Sequence, residues 1–288
     1  IGATEYVEGG LQPEEVAQFL YEIEDLVNMV HISSGLDKLV HATSYIEAPS
    51  IQPHGLNVPF ARIVKEKVKK IPVTVVGSIT TPEEAEEILE NGYADCVALG
   101  RPLIADPEWV NKARDNRAED IRTCIRCVSC YGVATSGCSQ GCAVNPRYER
   151  ELRLRTEERP SLQKKKIAVI GGGPAGMSAA IAAAERGHAV TLYEKTDRLG
   201  GLLNISETDP EKTDMRNFRN YLIEQVKKLP VQVLYQTTAT PEKIAQEDYD
   251  EIITALGSVP RKLNIPGAEL QHVLNIVEAH EKKLGDVV

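Results

Sequence analysis

The chain has 288 residues and a formal net charge of −9 at pH 7, and 42% of its residues are hydrophobic. That length allows two domains, each with its own core. The negative charge argues against nucleic acid as a partner, because phosphate binding needs clustered Lys and Arg. No apolar run approaches the roughly 18 residues of a membrane-spanning helix, and no signal peptide is visible. We therefore expect a cytoplasmic protein without a membrane partner.

Residues 1–120 repeat a strand-then-helix pattern. Short β-branched runs predict strands at residues 26–33, 73–77 and 95–100. A helix is predicted to begin after Thr81, because Pro follows it at the first helical position and Glu stands where a capping box requires it. Alternation of this kind predicts an α/β fold with a parallel sheet.

Two architectures fit this alternation, a doubly wound sheet and a (β/α)8 barrel. Glycines at the carboxyl ends of successive strands favour the C-terminal part of a barrel, whose phosphate site is commonly built from the last two strand–helix loops. Gly77, Ser78, Gly100 and Arg101 are the candidate phosphate-binding residues, through backbone amides and the Arg101 charge. The alternative is that both glycines simply end strands and Arg101 pairs with a carboxylate.

Five cysteines lie between residues 124 and 142, in a segment with little periodicity. An iron–sulfur cluster needs four converging thiolates. Cys124, Cys127 and Cys130 form C-x-x-C-x-x-C and supply three, and Cys142 is our choice for the fourth, with Cys138 as the alternative. Structural zinc held by Cys124, Cys127, Cys138 and Cys142 remains open. Disulfides are not expected in a chain that is not secreted.

The last part of the chain carries a dinucleotide-binding pattern. A strand over residues 167–170 precedes Gly171-x-Gly173-x-x-Gly176, a helix follows, and the next strand ends at Glu194. The glycines permit a tight turn, close approach to pyrophosphate and close helix packing, and the acid is expected to accept hydrogen bonds from ribose.

A second Gly-Gly loop after that acid favours FAD over NAD. A later strand that ends in small residues is also typical of a segment that returns to the FAD. The candidate FAD-binding residues are Gly171, Gly173, Ala175, Gly176, Glu194, Lys195, Gly201, Leu202, Ala255 and Gly257.

The order of these motifs resembles a known family. Val75-Val76-Gly77-Ser78 and Ala98-Leu99-Gly100-Arg101 resemble the end of an old yellow enzyme-like barrel. Cys124-Ile125-Arg126-Cys127, Cys142-Ala143-Val144-Asn145-Pro146 and the FAD pattern extend the likeness over nearly every segment. The chain resembles iron–sulfur flavoproteins of the 2,4-dienoyl-CoA reductase, trimethylamine dehydrogenase and NADH:flavin oxidoreductase type. One departure is Ser78, where the family often has Gly.

The resemblance implies an ene-reductase with FMN in the barrel, one [4Fe-4S] cluster and FAD in the second domain. NAD(P)H is expected to reduce FAD, and electrons to cross the cluster to FMN and reduce an activated C=C bond of a 2,4-dienoyl-CoA or enoate-like small molecule. Two alternatives stay open: an amine dehydrogenase with the same cofactors, and a non-catalytic FAD-binding module stabilised by zinc. His41 and Tyr45 are candidate catalytic residues, against the simpler interpretation that both are ordinary loop residues.

The ends of the chain suggest an internal piece of a longer polypeptide, inactive on its own. The chain starts at Ile1, and residues 285–288 read as the first strand of an NAD(P) domain. We expect residues 1–120 to be a partial FMN-binding barrel, residues 121–160 an iron–sulfur segment and linker, and residues 161–288 a partial FAD-binding Rossmann-like domain. The oligomeric state stays open, with a homo-oligomer as one alternative.

Overall fold

The computed structural model describes residues 1–37, 40–136, 141–157, 160–261 and 263–282. The chain divides into two compact units, residues 1–151 and residues 152–288. Among the described helices, none has the length and apolarity needed to cross a bilayer.

A parallel three-stranded sheet forms the centre of the first unit. Its strands are β1 (Val30–Ile32), β2 (Val73–Val75) and β3 (Cys96–Val97), in the order β1-β2-β3. A parallel bridge between Gly2 and Ser33 continues this sheet beyond β1. The predicted α/β alternation with a parallel sheet is therefore confirmed for this unit.

Helices connect these strands and cover them. They are α1 (Pro13–Ile23), α2 (Val40–Ile46), α3 (Val58–Lys67), α4 (Pro82–Glu90), α5 (Arg101–Ala105) and α6 (Trp109–Arg114). Apolar residues of α1, α3 and α4 pack with those of β1 and β2 in one buried core. The predicted start of α4 is confirmed, since Thr81 accepts a hydrogen bond from the Glu84 N–H and the Glu84 carboxylate accepts one from the Thr81 N–H. Such caps stabilise a helix by about 1 kcal/mol.

The cysteine segment is less irregular than its sequence predicts. After a 3-10 turn at Ala118–Asp120 the chain has neither helix nor strand over the described residues 121–128, and then it forms α7 (Ser129–Ser136). A further short helix, α8 (Glu151–Glu157), lies in the charged stretch that was expected to be a plain connection.

The second unit contains a parallel four-stranded sheet in the order β6-β5-β4-β7. Its elements are β4 (Lys166–Ile170), α9 (Pro174–Glu185), β5 (Ala189–Tyr193), α10 (Thr213–Lys228), β6 (Val231–Leu234), α11 (Pro241–Ala245), β7 (Glu251–Thr254) and α12 (Ile276–Glu281). Two 3-10 segments, Gly201–Glu207 and Pro210–Lys212, precede α10. Apolar residues of α9 and α10 pack with those of β4 and β5.

This strand order places a switch point at β4. The chain runs from β4 to β5 and β6 on one side, and then returns to pair β7 with the other side of β4. Parallel sheets bind ligands in the crevice outside the carboxyl ends of their strands at such a point. The expected strand over residues 285–288 lies outside the described residues.

Candidate functional site

A cavity of about 360 Å³ lies at the carboxyl ends of β1, β2 and β3. Residues that follow β2 and β3 line it together with residues of the cysteine segment, among them Gly77, Ser78, Gly100, Arg101, Cys124 and Arg126. All four predicted phosphate-binding residues therefore meet at one opening. The carboxyl end of a barrel is where sites of this fold are built.

The turn after β2 has a left-handed backbone. Gly77 has φ +134° and Ser78 has φ +53°. A Cβ atom on Gly77 would lie 2.7 Å from Asn57 Nδ2, so a larger residue does not fit there. The Ser78 Oγ is buried and has no hydrogen-bond partner among the described residues.

Arg101 lies in the same cavity with only 12% of its side chain exposed. Its Nε lies 3.2 Å from Glu47 Oε2, and its Nη2 donates to the Ala48 carbonyl at 2.9 Å. The expected alternative, that Arg101 pairs with a carboxylate, is thus correct in part. Its Nη1, however, is buried without a hydrogen-bond partner among the described residues.

Two buried polar groups with unused hydrogen-bonding capacity therefore line one cavity, the Ser78 hydroxyl and the Arg101 Nη1. Leaving a buried donor unsatisfied costs about 1–3 kcal/mol. A guanidinium and a hydroxyl together suit the oxygens of a phosphate group. These residues fit the phosphate of FMN on the chemistry of the donors alone.

A buried side-chain amide, which sequence reasoning missed, supports the cavity wall. Asn57 Nδ2 donates to the Val76 carbonyl at 2.7 Å, and Asn57 Oδ1 accepts from Ser34 Oγ at 2.5 Å. Asn57 stands at the N-cap of α3, and an Asn followed closely by a Pro is a helix-start pattern that could have identified it.

The two candidate catalytic residues lie on α2. His41 is exposed, and the Tyr45 ring stacks on Tyr6 with 3.6 Å between ring centroids. Neither side chain lines the cavity in the described part of the chain. Their catalytic role stays a prediction that this geometry does not support.

A histidine–carboxylate pair lies beside the cavity. His54 Nδ1 is 2.6 Å from Glu84 Oε1, and the other carboxylate oxygen accepts from the backbone N–H groups of Thr80 and Thr81. Burial by itself would raise the pKa of Glu84, but these hydrogen bonds hold the pKa below its ordinary value of 4.5. Since Thr80 lines the cavity, the pair fixes one part of its wall.

The four predicted cluster ligands share one neighbourhood. Cys124 is buried, Cys130 and Cys142 are half-buried and Cys127 is exposed. Burial raises the pKa of the Cys124 thiol to about 11, although the N–H of Arg126 donates to its Sγ at 3.4 Å, and nearby Cys142 and Cys130 add to the rise. Burial also raises the pKa of Cys130, and Cys142 and Cys127 contribute.

The cysteines of the described ranges are not drawn around one centre. Over the described ranges, which leave out residues 137–140, no group of three or more His, Cys, Asp or Glu could hold a metal ion. Cys138, the alternative fourth ligand, lies outside those ranges. One zinc draws its sulfur ligands to about 2.3 Å, whereas a cluster distributes its thiolates over several irons. Both a cluster and a single zinc ion therefore stay predictions for these cysteines.

The backbone around Cys127 is strained. Arg126 has φ +49° and Val128 has φ +62°, a conformation that is unusual for non-glycine residues and more so for a β-branched one. Strain of this kind concentrates at functional sites. Left-handed residues within a turn also direct N–H groups into a concave surface of the kind found at iron–sulfur sites. No sequence pattern predicted this shape.

In the second unit, the glycine loop follows β4 at the switch point. A Cβ atom on Gly171 would lie 2.3 Å from the Ala255 carbonyl oxygen, and one on Gly176 would lie 1.8 Å from the Gly171 carbonyl oxygen. Both positions therefore need Gly for the reasons that the sequence predicted. At Gly173 the nearest atom is 3.9 Å away, on Gly201, which leaves the backbone open to a ligand.

Glu194 lies at the end of β5, as expected, but its carboxylate is buried. One oxygen accepts from the Gly172 N–H at 2.8 Å, and the other accepts from the N–H and the hydroxyl of Thr196. The carboxylate thus holds the glycine loop. A carboxylate has about four acceptor sites, so ribose contact remains compatible with these bonds.

The remaining FAD candidates lie along the same edge of the sheet. The Ala255 N–H donates to the Ile170 carbonyl at 2.8 Å and joins β7 to the glycine loop. Gly201 has φ +54°, and a Cβ atom on it would lie 2.9 Å from the Gly173 Cα. The other candidates are exposed, namely Ala175, Lys195, Leu202 and Gly257.

Comparisons with known proteins agree with this division. Residues 1–120 match the model of the NADH:flavin oxidoreductase / NADH oxidase family, and residues 165–285 match that of pyridine nucleotide-disulphide oxidoreductases. An NADH oxidase of Thermoanaerobacter brockii is 42% identical over 94% of this chain and 41% of its own length. A cinnamate reductase of Clostridium sporogenes is 33% identical over 99% of this chain and 44% of its own.

A solved structure of 2-naphthoyl-CoA reductase with 2-naphthoyl-CoA matches the fold. It superposes with a TM-score of 0.90 and 31% identity over 99% of this chain and 44% of that chain. The chain thus spans less than half the length of these relatives.

Proposed function

Since residues 1–120 match the model of the NADH:flavin oxidoreductase / NADH oxidase family and residues 165–285 match that of the pyridine nucleotide-disulphide oxidoreductases, we propose that the whole protein is an NAD(P)H-dependent ene-reductase. It carries FMN in a (β/α)8 barrel, one [4Fe-4S] cluster and FAD, and it reduces an activated C=C bond of a small unsaturated carbonyl compound. The described chain supplies parts of all three cofactor sites.

One observation carries this proposal. The cavity that contains the Ser78 hydroxyl and Arg101 Nη1 is also lined by Cys124, a predicted cluster ligand. A flavin whose phosphate lies against Ser78 and Arg101 therefore shares its cavity with Cys124, a proposed ligand of the cluster. This proximity supports the proposal, since one-electron exchange requires the two groups to lie near each other.

Each cofactor has its own set of residues in the proposal. Gly77, Ser78, Gly100 and Arg101 hold the FMN phosphate, and Cys124, Cys127, Cys130 and Cys142 hold the cluster. The glycine loop over residues 171–176 binds the FAD pyrophosphate at the N-terminus of α9, where free amides and the helix dipole favour an anion. When bound, these groups supply hydride exchange with NAD(P)H at FAD, one-electron transfer at the cluster and hydride delivery to the C=C bond at FMN.

The substrate class follows from the relatives. One is named as a reductase of cinnamate and another was solved with 2-naphthoyl-CoA, and both names specify a conjugated acid or thioester. In such compounds the carbonyl group withdraws electrons from the conjugated double bond, which makes its β-carbon a hydride acceptor. We therefore place the substrate among enoates and unsaturated acyl-CoA thioesters.

The test is to purify the full-length protein without oxygen and to measure iron, acid-labile sulfide, FMN and FAD. We expect about four irons and one of each flavin per chain, and oxidation of NADH or NADPH that depends on cinnamate or an enoyl-CoA. One zinc without iron would replace the proposal with the zinc-stabilised module. Oxidation of a methylated amine without any C=C reduction would favour the amine dehydrogenase.

A further inference from the structure

Arg126 connects the cysteine loop (residues 124–130) to the wall segment (residues 47–53), whose first residue, Glu47, lines the cavity. Its guanidinium donates from Nη1 to the Gln52 carbonyl at 2.8 Å and to the Pro53 carbonyl at 3.4 Å. Its Nη2 donates to the Ser50 carbonyl at 3.3 Å. The residue is 3% exposed and itself lines the cavity. One side chain therefore satisfies three carbonyls of the wall segment.

The backbone of Arg126 makes a contact within the cysteine loop itself. Its N–H donates to Cys124 Sγ at 3.4 Å, and its φ of +49° is an energetically unfavourable conformation for a residue with a side chain. A glycine adopts this conformation without strain. The side-chain hydrogen bonds to the wall segment offset the cost of that backbone conformation. The conformations of the cysteine loop and of the wall segment therefore both depend on Arg126.

Arg101, in the proposed phosphate site, contacts the same wall segment. Arg101 pairs with Glu47 and donates to the Ala48 carbonyl. Two arginines thus contact the wall segment, Arg101 from the proposed phosphate site and Arg126 from the cysteine loop. Both arginines therefore contact the same wall segment.

We infer that Arg126 is a positioning residue that couples the group held by the cysteine loop to the flavin held in the cavity. When the loop is ordered by its metal cluster, Arg126 orders the wall segment and the cavity binds FMN more tightly. Coupling free energies are reciprocal, so bound FMN must favour the loaded loop to the same extent. This inference rests on the proposed cofactors and concerns only how the two sites influence each other.

The experiment measures the FMN dissociation constant of the full-length protein before and after removal of iron. In the unaltered protein we expect iron removal to raise the constant by about 5- to 150-fold, the usual range for coupled sites. In Arg126→Gln the ratio is expected to fall towards one. Arg126→Lys is expected to restore little of it, because an ammonium lacks the planar fork that reaches three carbonyls. Arg114→Gln is the matched control, since Arg114 is 71% exposed and bonds its neighbour Asp115.

The outcomes separate this inference from the proposed function. A protein that binds neither iron nor FMN contradicts the proposed function. A protein that binds both, with the same ratio in Arg126→Gln as in the unaltered chain, overturns the coupling through Arg126.

A second measurement needs no variant and decides the matter if Arg126→Gln does not fold. Amide hydrogen exchange over residues 47–57 is compared in iron-loaded and iron-stripped protein. We expect faster exchange there after iron removal, and unchanged exchange would overturn the inference.

Discussion

Gly176 packs against the carbonyl oxygen of Gly171 so closely that a Cβ atom on Gly176 would lie 1.8 Å from that oxygen. This contact sets the turn between β4 and α9, and with it the direction in which the loop amides point. The proposed FAD site therefore depends on a backbone-to-backbone contact as well as on side chains.

Gly176→Ala is expected to lower the free energy of unfolding by about 1–3 kcal/mol, because the added methyl must displace backbone, and to abolish FAD retention. Gly173→Ala is its matched control, since a Cβ there meets nothing nearer than 3.9 Å. That variant should stay within about 1 kcal/mol of the original stability and lose FAD affinity because the backbone can no longer approach the pyrophosphate. Urea unfolding and flavin release measure both effects. Equal stability of the two variants would show that the close contact between Gly176 and Gly171 does not restrict residue 176 to glycine.

Ser78→Gly is expected to change stability and FMN binding in opposite directions. Glycine relieves the left-handed φ and removes a buried hydroxyl without a partner among the described residues, which stabilises the flavin-free protein by about 1 kcal/mol. Loss of a hydrogen bond to the phosphate should raise the FMN dissociation constant roughly tenfold. Thermal unfolding measures the effect on stability, and fluorescence titration with FMN measures the effect on binding. A variant that binds FMN as well as the original chain would show that the hydroxyl does not contact the ligand.

Cys127→Ala should abolish the cluster, because each thiolate of a cluster binds iron directly and cannot be replaced by a methyl group. Cys138→Ala should leave iron content and visible absorbance largely unchanged, since we assign the fourth position to Cys142. Iron, sulfide and absorbance are measured on full-length protein purified without oxygen. Equal loss in both variants would mean that Cys138 is a ligand.

Glu84→Gln should destabilise the first unit at pH 7 by about 1 kcal/mol, because the cap of α4 and the contact with His54 both weaken. The pKa of Glu84 is depressed, so its contribution is present above its ordinary value of 4.5 and is lost as the pH falls through the lower folded value. The difference between the two proteins should therefore shrink below pH 4.5.

The fluorescence of Trp109, the one tryptophan of this chain, reports this unfolding, since its Nε1 donates to the Thr80 carbonyl beside Glu84. Glu83→Gln is the control, since Glu83 carries the same charge on the same turn but is exposed. A difference that stays constant down to pH 3 would contradict the assignment.

Glu194→Ala should weaken FAD retention and leave the iron content unchanged. The carboxylate bonds the Gly172 N–H and Thr196, so its removal frees the glycine loop in addition to any lost ribose contact. Iron content is expected to stay constant because the cysteines belong to the other unit. Flavin and iron analysis of the same preparation test both statements, and a parallel loss of iron would contradict them.

The sequence predicted the parts of this protein that depend on local patterns. Alternating strands and helices, the capping box at Thr81 and the glycine spacing at residues 171–176 reflect short-range sterics and hydrogen bonds, so a single sequence reveals them. The cysteine spacing likewise predicts a thiolate site, because cysteines close together in one loop can reach a common centre.

Only the tertiary structure decided which of these parts share a site. It brought Ser78, Arg101 and Cys124 to one cavity, left His41 outside it and turned the Glu194 carboxylate towards the glycine loop. It also revealed the grip of Arg126 on residues 50–53, more than 70 positions earlier in the chain. Such contacts arise from the packing of parallel strands whose carboxyl ends meet, and the spacing of residues along the chain carries no record of them.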